Sequence, residues 1–120
     1  MVARGAGRAA RVVDPPARGD VFLVALDPTL GRELRKTRPC LVVSPDELNR
    51  HLDTVIVAPM TTGGRPYPWR VPCTFLGRTG RVAIDQLRTV DRERLVRREG
   101  RLSEGELASV HATLGELFAP

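Results

Sequence analysis

The residues whose types and spacing could do chemistry form a basic loop and the strand that follows it. Arg38 stands at the start of a short apolar run, residues 40–43, which is bounded by Pro39 and Ser44-Pro45 and predicts a buried strand. Binding groups are often found on loops anchored to such rigid elements. The charges alone leave two interpretations open, a solvated surface loop or a site for an anionic ligand. The cations concerned are Arg32, Arg35, Lys36 and Arg38.

Thr61 is the second candidate, because it ends the predicted third strand, residues 54–60. If the second and third strands are neighbours, the side chains of Arg38 and Thr61 reach one rim of the sheet. A guanidinium and a hydroxyl suit the stabilisation of a phosphorane-like transition state. RNA carries its own nucleophile, the 2′-hydroxyl, so this chemistry requires no metal. For Thr61 alone, an ordinary hydroxyl at a strand end remains the alternative, and the groups that move protons stay open because arginine hardly deprotonates.

Other catalytic arrangements are disfavoured. His111 follows Leu107 by four residues, which indicates a packing position on a helix, and His51 lies in a polar segment, so nothing brings the two histidines together as acid and base. Acidic residues do not cluster as Mg²⁺ ligands would. Cys40 and Cys73 form neither a disulfide framework nor a zinc spacing. We therefore expect no metal and no cofactor.

Composition favours a nucleic-acid partner. The chain has 120 residues, enough for one domain, and carries 19 Lys+Arg against 14 Asp+Glu, with a net charge of +5. Nearly all the positive charge is arginine, the better donor for bidentate phosphate contacts. An arginine-rich coding background is the alternative explanation. The sequence contains neither a long apolar run nor a secretory signal, so we expect no membrane segment and a cytoplasmic location.

The order of elements predicts a small β-rich domain. Residues 1–17 are rich in Gly, Ala, Arg and Pro and predict a disordered basic arm, so the domain is expected over residues 18–120. A capping box from Ser44 to Glu47 predicts a helical turn to Asn49. Prolines confine residues 67–75 to an edge strand, and residues 77–80 predict a turn. The other predicted strands are residues 21–26, 38–44 and 54–60. Residues 81–85 and 86–90 form either one bent strand or two short ones, and a turn over residues 91–95 leads to a last strand, residues 96–102.

A helix is predicted at the end of the chain. Ser103 and Glu106 form a second capping box, and apolar residues follow at helical spacing. Their stripe is expected to pack on the sheet. The predicted fold class is therefore mainly β with one C-terminal helix, a small barrel-like domain. The apolar positions are Leu107, Val110, Leu114, Leu117 and Phe118.

Several segments together resemble the MazF/PemK toxin family. They are Arg18-Gly19-Asp20-Val21, Gly31-Arg32-Glu33, Arg38-Pro39-Cys40-Leu41-Val42-Val43, Ala58-Pro59-Met60-Thr61 and Asp85-Gln86-Leu87-Arg88-Thr89-Val90. The resemblance covers roughly residues 18 to 118. It implies the SH3-like barrel of the MazF/CcdB/Kid fold, a homodimer, and a metal-independent endoribonuclease that cuts single-stranded RNA to a 2′,3′-cyclic phosphate and a 5′-hydroxyl. It also implies a cognate MazE-like antitoxin.

The resemblance assigns roles to particular residues. Arg38 and Thr61 match the catalytic positions. Gly31, Glu33 and Gln86 match positions that contact RNA, and their neighbours Arg32, Arg35, Lys36 and Thr37, together with Arg65 in the turn after the third strand, are added to the predicted RNA contacts. Leu34 replaces a glutamine common in the family, which predicts a changed recognition sequence. Tyr67 and Trp69 either stack RNA bases or pack in the core.

Two other functions stand beside the nuclease. A CcdB-like toxin of the same fold would bind gyrase without cleaving anything, and a generic basic barrel would bind RNA with strong salt dependence. The retained Arg-Pro strand and Thr61 favour the ribonuclease.

Overall fold

The computed structural model describes residues 14–26 and 37–120. The predicted arm and the RNA contacts predicted at Gly31, Arg32, Glu33, Arg35 and Lys36 lie largely or wholly outside these residues. The described strands are β1 (Asp20–Val24), β2 (Arg38–Val42), β3 (Thr54–Thr61), β4 (Arg70–Phe75), β5 (Arg78–Ala83), β6 (Arg88–Asp91) and β7 (Leu95–Arg101). The described helices are α1 (Asp46–His51) and α2 (Glu104–Leu117), and 3-10 turns occupy Ile84–Gln86 and Arg92–Arg94.

All strand pairs are antiparallel, and β3 is the central strand. The order along the sheet is β4-β5-β3-β2-β1-β7. On the side away from β2, the first half of β3 pairs with β6, from Thr54 opposite Asp91 to Val57 opposite Arg88. Its end pairs instead with β5, where Met60 lies opposite Val82. This change of partner curls the sheet into a half-barrel, so the predicted β-rich barrel with one C-terminal helix is confirmed.

The core lies on both faces of β2. Leu41 belongs to the apolar cluster beneath α2, and Cys40 and Val42 belong to a second cluster with Val55 and Val57 of β3. Because successive side chains of a strand point to opposite faces, a strand covered on both sides needs apolar residues at every position. The uninterrupted apolar run after Pro39 therefore reflects this double burial.

Helix α2 is fixed to the sheet at its first turn. The side chain of Ser103 accepts from the Glu106 N–H, and the Glu106 carboxylate accepts from the Ser103 N–H, so the predicted capping box is confirmed. The other Glu106 oxygen accepts from the Thr74 N–H of β4 at 2.8 Å. The hydrogen bond from Thr74, and then those from Ser103, hold the pKa of Glu106 below its ordinary value. The stripe is buried at Leu107 but not at Phe118, which is 68% exposed, so its predicted packing is wrong at the end of the helix.

The first predicted capping box is wrong. Helix α1 has Pro45 at its N-cap, and no side-chain hydrogen bond caps it. The Ser44 hydroxyl instead donates to the Asn49 side-chain oxygen at 2.6 Å and accepts from the Ile56 N–H at 3.0 Å. Asn49 donates back to the Ser44 carbonyl, and both residues are buried. The hydroxyl therefore binds α1 to β3, because a buried strand N–H offers it a better partner than the helix end does.

Several predicted boundaries also shift. The turn predicted over residues 77–80 is confined to Leu76 and Gly77, whose φ angles of +51° and +76° allow a two-residue hairpin, and β5 begins at Arg78. The predicted edge strand is confirmed at the sheet edge but begins at Arg70. Residues 81–90 form two strands, β5 and β6, separated by the 3-10 turn.

A buried carboxylate holds β1 against β7. The side chain of Asp20 is 1% exposed and lies 2.9 Å from a guanidinium nitrogen of Arg98 and 2.9 Å from one of Arg101. It also accepts from the Ala17 N–H. Asp20 lies opposite Arg101 in the strand register. The ion pairs and the hydrogen bond compensate for the loss of water around a buried carboxylate.

We expect Asp20→Ala to lower the free energy of unfolding by about 2 to 3 kcal/mol, since it strips two guanidiniums and a backbone N–H of their buried acceptor. Urea unfolding should show a lower midpoint with an unchanged m value. Glu116→Gln, which removes an exposed carboxylate from α2, is the control and should change the free energy of unfolding by less than about 0.5 kcal/mol. Equal midpoints for the two variants would contradict the assigned role of Asp20.

Candidate active site

The strand register brings Arg38 and Thr61 together. Antiparallel pairing of β2 with β3 places Cys40 opposite Pro59 and Leu41 opposite Ala58. The same register continued to the strand ends places Arg38 opposite Thr61. The expectation that the second and third strands are neighbours is therefore confirmed, and the two side chains share one rim of the half-barrel.

Two cavities meet at this pair. The larger measures about 620 Å³ and runs between β1 and the β4–β5 hairpin, where Leu23, Phe75 and Glu99 line it. The smaller measures about 370 Å³ and is lined on its far side by Arg70, Gln86 and Arg88. Arg38 and Thr61 line both cavities, so they stand at the boundary between a mixed groove and a cationic pocket. An extended ligand lying across the boundary would place its flanking groups in the two cavities.

The turn after β3 and the strand beside it fix Thr61. Its hydroxyl accepts a hydrogen bond from the Gly63 N–H at 3.2 Å. Gly80 of β5 approaches from the other side, and a Cβ atom added there would lie 2.5 Å from the Thr61 carbonyl oxygen. The backbone of β5 can approach Thr61 this closely because residue 80 has no side chain.

The smaller cavity is rich in guanidinium groups. Arg88 donates to the Leu26 carbonyl at 3.3 Å. Arg70 is 13% exposed and binds Asp85 through two parallel hydrogen bonds, 2.6 Å from Nε and 3.0 Å from Nη2. The bond from Arg70 holds the pKa of Asp85 below its ordinary value, so this carboxyl is a weak base. With Arg38, three cations line the pocket against this one carboxylate beside it, which favours an anionic ligand.

Cys40 is close to the pocket but is not a nucleophile. Burial raises the pKa of its thiol to about 12, despite the opposing influence of Arg38 and Arg88. A thiol needs to be deprotonated to attack or to bind a metal. Cys40 therefore acts as a small core residue.

The other predicted RNA contacts divide between the cavities and the surface. Thr37 lines the larger cavity and Gln86 the smaller, while Arg65 is exposed in the turn before β4 and lines neither. Tyr67 and Trp69 stack on each other at 4.8 Å between ring centroids. Each residue is a little over one-third exposed, so the two rings pack together at the surface rather than in the core.

The two histidines lie on separate helices and line neither cavity. His51 contacts the Glu47 carbonyl within α1, and His111 lies exposed on α2, where partial desolvation lowers the pKa of its ring. Within residues 14–26 and 37–120, no three His, Cys, Asp or Glu side chains converge as metal ligands. In the same part of the chain, no helix has the length and hydropathy needed to cross a bilayer.

Sequence reasoning missed Arg70 and Arg88 as lining residues and Asp85 as the partner of Arg70. Asp85 and Arg88 lie in the segment of residues 85–90 that resembles the family, but that resemblance alone does not indicate which groups they contact. Arg70 lies fifteen residues before its carboxylate partner, on a different strand. Only the pairing of β4 with β5, which places Arg70 opposite Ala83, brings these groups together.

Comparison with known proteins identifies the family and agrees with the fold. A family model described as PemK-like, MazF-like toxin of type II toxin–antitoxin systems matches residues 17–118. The chain belongs to this family. It is 34% identical to endoribonuclease MazF9 of Mycobacterium tuberculosis over 81% of its own length and 91% of the relative's. It is 43% identical to endoribonuclease PemK of Escherichia coli, but that match spans only 62% of this chain and 59% of the relative.

Solved structures of family members share the architecture. Deinococcus radiodurans MazF superposes with a TM-score of 0.73 at 30% identity, covering 88% of this chain and 97% of that protein. A MazE–MazF complex from the same organism gives a TM-score of 0.74 at 25% identity, with 89% and 98% of the two chains covered. The predicted family and its fold are thus confirmed.

We expect Gly80→Ala to displace the backbone of Thr61 and to destabilise the protein. The new Cβ would press on the Thr61 carbonyl, and the resulting shift of β3 should cost about 1 to 3 kcal/mol of stability. Gly115→Ala is the control, because a Cβ there meets nothing within 4 Å on α2 and should be neutral or stabilising by up to about 1 kcal/mol. Thermal unfolding of both variants measures the difference, and similar stabilities would contradict the close approach of β5 to Thr61.

The Arg70–Asp85 pair should also give stability a dependence on pH. Because the folded protein lowers the pKa of Asp85 below that of the unfolded chain, the contribution is complete above the unfolded value and is lost as pH falls through the folded one. Urea unfolding from about pH 6 to about pH 2 should show a smaller loss of stability in Asp85→Asn than in the unmodified protein. Identical pH profiles would exclude this contribution.

Proposed function

We propose that this protein is the toxin of a type II toxin–antitoxin system and a sequence-specific, metal-independent endoribonuclease of single-stranded RNA, with mRNA as the favoured target. The observation that carries the proposal is that Arg38 and Thr61, from the ends of two paired strands, line one pocket together with further cations. The names of the relatives, endoribonuclease MazF9 and endoribonuclease PemK, support it. No cofactor enters the proposal.

The proposed reaction is a displacement within the RNA. The 2′-oxygen forms a bond to the neighbouring phosphorus, and the bond from phosphorus to the 5′-oxygen breaks. The 2′-hydroxyl loses one proton and the leaving oxygen gains one, which yields a 2′,3′-cyclic phosphate and a 5′-hydroxyl. The guanidinium of Arg38 balances the charge that develops on the phosphate oxygens. The Thr61 O–H, which faces the Gly63 carbonyl at 3.4 Å in the free protein, turns to donate to one of those oxygens, while the Gly63 N–H continues to hold the hydroxyl oxygen.

Recognition is proposed along the two cavities and the loop before β2. Thr37 contacts RNA in the larger cavity and Gln86 contacts it in the smaller. Arg65 contacts the part of the RNA that extends beyond the cavities. The proposal keeps Gly31, Arg32, Glu33, Arg35 and Lys36 as contacts from the loop. Because cations dominate the small pocket, phosphates supply affinity there, and the amide of Gln86 supplies base contacts.

The proposed partners follow from the same site. A cognate MazE-like antitoxin would neutralise the toxin by covering the cavities, and the solved MazE–MazF complex supports such a partner. The proposal also includes a homodimer, a toxin domain over residues 18–120 that follows a basic arm, and a cytoplasmic location. A CcdB-like gyrase-binding toxin would have no need of Arg38 and Thr61 at one pocket, so the geometry favours cleavage.

The test is cleavage of a long unstructured RNA by the purified protein in EDTA, with the new 5′ ends mapped. We expect 5′-hydroxyl ends at one short motif, and we expect Arg38→Ala to lower the cleavage rate by about a hundredfold or more while circular dichroism stays unchanged. Arg50→Ala, which removes an exposed cation from α1, should cleave normally.

Intact RNA with the unmodified protein would reject the nuclease and make gyrase inhibition the next assay. Normal cleavage by Arg38→Ala would reject the assignment of that residue. Thr61→Ser should retain more activity than Thr61→Val, because only serine keeps the hydroxyl.

A further inference from the structure

Arg70 occupies a position in the small cavity that neither the family motifs nor the relatives' names assign. It begins β4, and its side chain lines the same pocket as Arg38, Thr61 and Gln86. Although it is charged, the side chain is only 13% exposed. A long basic side chain on an edge strand would ordinarily extend into solvent, so its burial requires specific partners.

Those partners fix the orientation of the guanidinium. Asp85 binds Nε and Nη2 as a fork, at 2.6 and 3.0 Å. The Tyr67 ring lies beneath, with its centroid 5.8 Å from the central carbon of the guanidinium. A planar guanidinium held by a carboxylate on one edge and an aromatic ring on one face has little freedom to rotate.

The remaining edge of the guanidinium is directed toward the turn that follows Thr61. Nη1 lies 3.6 Å from the position that a Cβ atom of Gly64 would occupy. An arginine has five N–H donors, and Asp85 takes two of them, so three remain, two of these on Nη1. Because Gly64 has no side chain, no side chain at that position covers Nη1.

We propose that Arg70 contacts the substrate, donating from Nη1 to a backbone phosphate of the RNA next to the one that is cleaved. Asp85 is a positioning residue, which orients Arg70 without touching RNA. This inference rests on the proposed ribonuclease function, since it assigns an additional contact to the same pocket. The chemistry it requires is an anionic oxygen within reach of Nη1 when the cleaved phosphate lies between Arg38 and Thr61.

The arrangement also explains why a carboxylate stands beside a phosphate pocket. An isolated carboxylate there would repel RNA. Asp85 is neutralised by its own arginine, while Arg70 keeps donors that a phosphate can accept. The pair therefore offers directional hydrogen bonds to a phosphate, although its net charge is close to zero.

The salt dependence of RNA binding tests the contact. Binding to an unstructured RNA would be measured in an Arg38→Ala background, which prevents cleavage, over a range of KCl concentrations. One phosphate contact on a single strand contributes about 0.7 to the slope of log affinity against log salt. We expect Arg70→Gln to reduce the slope by about that amount, and Arg50→Gln, an equal change of charge on α1, to reduce it much less.

Kinetics separate the two residues. With Arg38 intact, Arg70→Gln should raise KM several-fold, and Arg70→Lys should recover part of the loss because it restores the charge without the fork. Asp85→Asn keeps the cation but weakens its orientation, so it should retain most of the salt slope while raising KM less than Arg70→Gln does. The exchange variant Arg70→Asp with Asp85→Arg restores an ion pair but moves the cation. It should be more stable than Arg70→Gln, but its KM should stay raised.

Each result decides between a substrate contact and a purely structural ion pair. An unchanged slope and KM in Arg70→Gln, or full recovery of KM in the exchange variant, would overturn the proposal. Failure of the unmodified protein to cleave RNA is a separate outcome, because it would reject the ribonuclease function itself. Cleavage by the unmodified protein with an unaltered slope in Arg70→Gln would reject the role of Arg70 alone.

Discussion

The pairing of β3 with three other strands is the constraint on which the rest of the structure depends. One side of β3 pairs with β2, while the opposite side changes from β6 to β5 along the strand. Because the two partners leave in different directions, the sheet curls there and its strand ends open into cavities. Thr61 is the last residue of β3, so it comes to lie where the cavities meet. The site is a consequence of how the sheet closes.

The positive charge of the chain is divided between structure and site. Arg98 and Arg101 are bound to the buried Asp20, and Arg97 is bound to Glu99. Arg38 and Arg88 line the small pocket instead, with Arg70 held beside them by Asp85. The net charge of +5 therefore says little about affinity for RNA. What matters is which guanidiniums keep donors directed into a cavity, and burial and pairing decide that for each arginine separately.

The edge strand β4 shows how one element serves both solubility and the site. Its outward backbone N–H groups are occupied or missing. The Arg70 N–H donates to the Tyr67 carbonyl, residue 72 is proline, and the Thr74 N–H donates to the Glu106 carboxylate. An edge without free donors is disfavoured as a template for another strand, since only its carbonyl groups remain to pair. The same strand still carries Arg70 into the pocket. Loss of the Glu106 contact would expose this edge and loosen a wall of the site together.

The sequence by itself determined the family, the β-rich class and the terminal helix, because order of motifs, apolar periodicity and capping residues are local properties. It also located Arg38 and Thr61 at strand ends, since such a residue can be located from the apolar run beside it. Only the tertiary structure decided that Ser44 binds Ile56 rather than capping α1, and that Tyr67 stacks on Trp69. It alone joined Arg70 to Asp85 across two strands. The physical reason is that a side chain chooses among all partners within reach, and folding brings within reach groups that are far apart along the chain.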